Sequence, residues 1–352
     1  MASQRALPSA LRRRLLQWAG LFPLATSLGF RVIATPLSPD QASFDAWVNA
    51  GDLSPALRRV RGIVRNYFLS QSPDATLTQK RKARIALYSD NIPIPGDIRY
   101  TQVATATVRG EWSATDANTT GPVIYYLHGG GFAVGSAEGW RAVGAVLGRT
   151  AGMRTFSLDY RLAPEHPYPA ALDDAMAGYR WLLSQGVPPE HIVFAGDSAG
   201  GGLAVSCLLR ARDEGLPMPA SAFLMSPWAD LTMTGASIDH PRAFDPFNRR
   251  KGLELSARQY LAGHDAKDPL VSPRYGRLDG LPPLLVHVGD DEAYLDDALS
   301  LARAAGMAGV SVRLRQWRDV FHVWHAWGPL LPEARDAMAD AAAFLRQSIG
   351  RR

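Results

Sequence analysis

The stretch HIVFAGDSAGGGLAV, residues 191–205, changes character in its middle. Ile192-Val193-Phe194 is an apolar, β-branched run of the kind that fills a buried strand. It stops at Gly196-Asp197-Ser198-Ala199-Gly200, and a helix-like stretch follows. Glycines two before and two after a serine allow a turn too tight for side chains at those positions. At a strand-to-helix junction, G-x-S-x-G lifts the serine hydroxyl above the sheet, at the N-terminus of the helix. Taken alone, the pentapeptide is also compatible with a serine that caps a helix and glycines that relieve packing. Partners elsewhere in the chain decide between the two.

Outward from this stretch, short apolar runs alternate with longer helical segments. Strands are predicted at Val123 to Leu127, Arg154 to Leu158, Ile192 to Ala195, Ala222 to Met225, Leu284 to Val288 and Val312 to Gln316. Helices are predicted at 137–150, 170–184, 199–213, 293–306 and 333–348. Continuous apolar strands in alternation with helices imply a mostly parallel sheet covered on both faces, with ligands beyond the carboxyl ends of the strands. Residues 35–95 read as a small helical cap, with Ser38-Pro39 and Ser54-Pro55 as helix starts. Residues 96–352 read as the catalytic domain, interrupted near 228–275 by a cap or lid insertion with a helix near 252–262.

Composition fits a globular protein, 47% hydrophobic and 20% charged over 352 residues. The single cysteine, Cys207, excludes an internal disulfide and a zinc-finger framework. The net charge of +5 does not point to a nucleic acid. Arg5, Arg12, Arg13, Arg14 and Arg31 supply all of it, which leaves the body neutral and without a basic stripe. Residues 1–34 read either as an export signal, with Val32-Ile33-Ala34 before the cleavage point, or as an N-terminal cap helix. Cytoplasmic and exported locations both stay open. Pro23 and Arg31 leave too short an apolar run for a stable membrane span.

VIYYLHGGGF, residues 123–132, supplies the first partner for the serine. Acyl transfer builds negative charge on a carbonyl oxygen, and N–H groups in a glycine loop meet that charge without a side-chain clash. The N–H of Ala199, directly after the serine, would add a further donor. Neither a Walker lysine nor G-x-G-x-x-G is present, which disfavours a nucleotide site. His128 reads as an anchor of the loop. A general base is expected late in the chain, and RQWRDVFHVWHAW offers His322 and, second, His325. His287 lies inside an apolar strand and reads as core. A metal held by His322 and His325 lacks a third ligand nearby in sequence. The acid that orients the base is expected in LLVHVGDDEAYLDDA, from Asp290, Asp291, Glu292, Asp296 or Asp297, and spacing alone does not select one. Trp228, Phe244, Phe247, Phe44, Trp47, Tyr67 and Phe68 are either pocket lining or ordinary core between cap and sheet, with core preferred.

With His128-Gly129-Gly130-Gly131-Phe132, DYRLAPEHPYPAA (159–171) and GDSAGGG (196–202) in this order, the chain resembles the hormone-sensitive-lipase-like, or type IV bacterial, esterases over about residues 100–345. The resemblance implies an α/β-hydrolase fold of about eight strands with a helical cap. It implies hydrolysis of short- to medium-chain carboxylic esters through an acyl-enzyme, with no metal or organic cofactor. Carried over by motif, it puts the nucleophile at Ser198, the base at His322 and the oxyanion donors at Gly130, Gly131 and Ala199. Many relatives carry Asp-Pro-Leu-x-Asp where this chain has Glu292-Ala293-Tyr294-Leu295-Asp296, so Glu292 is the expected acid and Asp296 the alternative. Tyr160-Arg161 are expected to brace the glycine loop. The expected partner is a small-molecule ester, with no nucleic acid and with homodimerisation left open. An amidase or N-acetyl hydrolase would share this chemistry, and a hydrolase-like binding protein would be expected to lack the base or the nucleophile.

Overall fold

A computed structural model describes residues 41–239 and 244–349. The 1–34 segment, with its export or cap-helix reading, lies outside the described residues. Three helices come first: α1 (Gln41–Val48), α2 (Pro55–Ser70) and α3 (Leu77–Ser89). Ser54 caps α2 by accepting from Leu57 N, ahead of Pro55 at the first helical position. Thr76 and Gln79 close a reciprocal capping box on α3.

The chain then forms an eight-stranded sheet: β1 (Arg99–Ala104), β2 (Arg109–Ala114), β3 (Val123–Leu127), β4 (Arg154–Leu158), β5 (Ile192–Asp197), β6 (Ser221–Met225), β7 (Leu284–Gly289) and β8 (Val312–Trp317). Their spatial order is β1-β2-β4-β3-β5-β6-β7-β8. From β4 to β8 the neighbours are parallel, whereas β1 and β2 form an antiparallel hairpin that joins β4. The hairpin adds two strands to the six that the apolar runs predict. β1 is mostly exposed, with only Tyr100 and Val103 half-buried, so it lacks the continuous apolar signal of the central strands.

Side chains alternate between two cores. Val123, Tyr125 and Leu127 of β3 face one, while Ile124 and Tyr126 face the other. The first core is closed by α5 (Ala170–Ser184), α6 (Ala199–Asp213) and α8 (Leu295–Met307), through Tyr179, Leu208 and Leu301. The second is closed by α4 (Arg141–Ala151) and α9 (Pro332–Ser348), and it continues into Phe44, Trp47, Val60 and Val64 of α1 and α2. Between β6 and β7 lies α7 (Arg250–Leu261), in the predicted insertion. Among the described residues no helix is long and apolar enough to cross a membrane.

Two helices begin later than the sequence predicts. α4 starts at Arg141 rather than 137, after a turn over 137–140 in which Ser136 Oγ accepts from Gly139 N. α8 starts at Leu295 rather than 293, and the N–H of Ala293 before it is donated to Asp245 (3.2 Å).

Arg61 of α2, 1% exposed, fastens this helix to the end of the sheet that carries the late loops. Its guanidinium donates to the carbonyls of Trp47 (2.8 Å) and Asp319 (2.6 Å) and pairs with Asp291 at 3.3 Å.

Candidate active site

β5 ends at Asp197 and α6 begins at Ala199, which leaves Ser198 alone at the corner. Its backbone sits at φ 54°, ψ −125°, a left-handed conformation that costs a residue with a Cβ about 1–3 kcal/mol. Neighbouring strands hold it there: Ser198 N donates to Met225 O (2.8 Å), and Trp228 N donates to Ser198 O (2.9 Å). A Cβ on Gly200 would run into the carbonyls of Leu127 and His128, and one on Gly196 into the carbonyl of Gly200. The glycines of the motif are therefore fixed by backbone approaching backbone. The Ser198 side chain makes no capping hydrogen bond to α6, so a capping role does not explain this serine.

The glycine loop after β3 divides its amides. Gly129 N donates to Asp197 Oδ1 at 2.8 Å. Among the described residues neither Gly130 N–H nor Gly131 N–H has an acceptor. Gly130 (φ 111°) packs so tightly on the Val134 carbonyl that no Cβ fits, which holds these amides in place. Asp197 is a residue whose part sequence reasoning missed. Buried, it also accepts from the Tyr126 hydroxyl and from Trp140 Nε1 (3.2 Å), and so ties the serine's strand to the loop. Burial pushes its carboxyl above the usual range. His128 stacks on Tyr160 at 4.2 Å, and the Tyr160 hydroxyl donates to His128 O (2.7 Å), while Arg161 pairs with Asp174.

Of the five acids that follow β7, in its loop and the first turn of α8, one meets the late histidine. Glu292 Oε2 lies 2.9 Å from His322 Nδ1. Its other oxygen accepts from Ser226 Oγ and Gly289 N, both at 2.7 Å. Ser226, at φ 48° after β6, is a second residue that sequence reasoning missed. Burial raises the Glu292 carboxyl above its ordinary range, and the His322 ring pulls it back. Asp296 is turned away and accepts from Ser237 N (2.9 Å). Asp290 accepts from Asp319 N, Asp291 pairs with Arg61, and Asp297 accepts from the amides of Ala229 and Asp230. Asp245, in the segment before α7, adds a third missed residue. It accepts from Ala293 N, Phe247 N, Asn248 N and Asn248 Nδ2, so it pins the insertion to the residue after Glu292.

The Tyr294 ring meets His322 edge-on at 5.2 Å. With Nδ1–H directed at Glu292, the imidazole presents Nε2 as an acceptor. Of the aromatic candidates, Trp228, Phe44 and Trp47 are buried, and Phe244, Phe247, Tyr67 and Phe68 are half-buried against the second core. Phe247 lies 6.0 Å from the His322 ring.

His325 is turned the other way. Fully buried, it places Nε2 3.3 Å from His287 Nδ1, and His287 Nε2 meets Asp340 at 3.1 Å. Among the described residues no group of three metal-ligating side chains is assembled. Burial holds both imidazoles below the usual histidine range, His325 well below it, while the hydrogen bond from His287 brings Asp340 down to about 2. A lowered histidine contributes stability that is present above the unfolded pKa of about 6.5 and is lost as pH falls below it. Relative to His325→Phe, the wild type should therefore lose on the order of 1 kcal/mol more unfolding free energy between pH 7.5 and 5.5. Urea titrations at both pH values check this. Carboxyls raised by burial oppose the trend and cancel in the comparison, and parallel curves would place His325 in contact with solvent.

A family model described as an alpha/beta hydrolase fold matches residues 124–326. The chain is 42% identical over 298 residues to an acetyl-hydrolase of Streptomyces hygroscopicus, covering 84% of this chain and 98% of that one. It is 38% identical over 240 residues to an esterase of Acinetobacter venetianus, covering 68% and 79%. The crystal structure of an esterase from the bacterial hormone-sensitive lipase family superposes with a TM-score of 0.82 at 40% identity, over 85% of this chain and all of that one.

Proposed function

Because the chain belongs to the α/β-hydrolase-fold family, among its hormone-sensitive-lipase-like esterases, we propose that it cleaves short- to medium-chain carboxylic esters through an acyl-enzyme on Ser198. Several of its relatives are named as esterases. The observation that carries the serine mechanism is the meeting of His322 with Glu292 at 2.9 Å, in a chain whose Ser198 stands in a strained conformation at the end of β5.

In the reaction, His322 Nε2 takes the Ser198 proton as Oγ attacks the ester carbonyl carbon. The oxyanion is held by the N–H groups of Gly130, Gly131 and Ala199. Glu292 fixes the tautomer and stabilises the imidazolium. The carbon–oxygen bond to the alcohol breaks, and the alcohol leaves with the proton from His322. Water then repeats the sequence against the acyl-enzyme and frees the acid and Ser198. Residues 35–95 serve as the cap, 96–352 as the catalytic domain, and the 228–275 insertion covers the site.

Phenylmethylsulfonyl fluoride should stop turnover of 4-nitrophenyl butyrate and attach its sulfonyl group to the peptide that carries Ser198, as read by mass spectrometry. Inactivation with the label on another residue would refute the assignment. The name of the Streptomyces relative favours a second reading, an acetyl-group hydrolase, whose leaving group would be an amine as readily as an alcohol. Competition between an acetate ester and the matched acetamide separates the two, and preferred turnover of the amide would replace the ester reading.

A further inference from the structure

α3 lies against the glycine loop. Arg81 donates from Nε to Ala133 O (2.8 Å) and from Nη2 to Ala163 O (3.1 Å), and Ile85 fills the space beside Gly139. Between them on the same helix is Arg84, half-buried. Its Nε donates to the Tyr67 hydroxyl at 3.1 Å. Its guanidinium carbon lies 5.5, 5.8 and 5.1 Å from the ring centres of Tyr67, Phe68 and Phe247. The last of these rings is the one tilted against His322.

Among the described residues Arg84 has no carboxylate partner, and its terminal nitrogens have no acceptor. The carboxylate of Asp245 is near enough to act on it electrostatically, but both Asp245 oxygens are occupied by the four donors named above. Aromatic faces offset part of the cost of holding a guanidinium partly out of water, yet they satisfy none of its terminal N–H donors. A carboxylate is the acceptor whose planar pair of oxygens matches that fork.

We propose that Arg84 is a specificity-determining residue that receives a carboxylate carried by the substrate, so that the favoured esters bear a second, ionised carboxyl group. The proposal rests on the ester-hydrolase reading above and adds the substrate class. In one arm of the test, mono-4-nitrophenyl adipate is compared with 4-nitrophenyl hexanoate, which places the carboxylate on the acyl side. In the other, 4-carboxyphenyl hexanoate is compared with phenyl hexanoate, which places it on the alcohol side. In one arm, Arg84→Met should lower kcat/KM for the carboxylate ester about 10- to 100-fold more than for its neutral counterpart, as expected for loss of a charged hydrogen bond. Arg84→Lys should retain part of the preference. Equal losses in both arms would reduce Arg84 to a brace between aromatic rings and overturn the proposal.

Calorimetry of monomethyl adipate on Ser198→Ala, with and without Arg84→Met, reads the same contact without turnover. Unchanged affinity there, together with equal kinetic losses, overturns the proposal. An affinity that depends on Arg84 in a protein that hydrolyses no ester would overturn the catalytic reading and leave the carboxylate site standing.

Discussion

Ser198→Ala is expected to lower kcat for a short-chain 4-nitrophenyl ester by about 10⁵–10⁶-fold, the loss seen when a triad nucleophile is removed. The fold should survive. Alanine keeps the Cβ, so the left-handed corner at φ 54° is no more strained than with serine. The Ser198 hydroxyl makes no capping bond, and the corner is held by main-chain bonds to Met225 and from Trp228 that the substitution leaves in place. Circular dichroism and thermal unfolding close to wild type, alongside the kinetic loss, would separate chemistry from folding. A residual rate above that of buffer is expected, since Gly130 and Gly131 still offer their N–H groups to a carbonyl polarised by water attack. Retention of full activity would end the acyl-enzyme reading.

The second large effect concerns the acid. Glu292→Gln should cost about 10²–10⁴-fold in kcat, by analogy with acid-to-amide changes in other triads. Both Glu292 oxygens are engaged, one with His322 and the other with Ser226 and Gly289 N. An amide nitrogen in either position would face a donor, so the substitution removes the charge that stabilises the imidazolium and also disturbs the tautomer. Asp296→Asn is the control, because Asp296 is occupied with the Ser237 amide. It should change kcat by less than a few-fold, consistent with a carboxylate outside the network. The reverse ranking, with Asp296→Asn crippling and Glu292→Gln mild, would move the acid's role to Asp296.

These two residues differ in how much of their role is local. At the serine, strand, corner and helix lie within a few residues of one another, and small flanking residues dictate the turn by steric exclusion alone. β3, β4 and α5 likewise have the bounds that their apolar runs predict. The hairpin of β1 and β2 was less visible, because an edge strand with exposed polar positions is stabilised by its cross-strand partner.

By itself, then, the sequence determined an open, mostly parallel sheet, the serine at its corner and the glycine loop beside it. In each case the information is carried by neighbours in the chain. Only the tertiary structure placed Glu292 rather than Asp296 beside His322, brought Ser226 and Asp245 to that loop, and set Arg84 over Phe247. Those contacts join segments up to 163 residues apart (Arg84 to Phe247). Which carboxylate meets an imidazole, or which guanidinium lacks one, depends on where folding places donors and acceptors in a region poor in water, and spacing along the chain does not encode that.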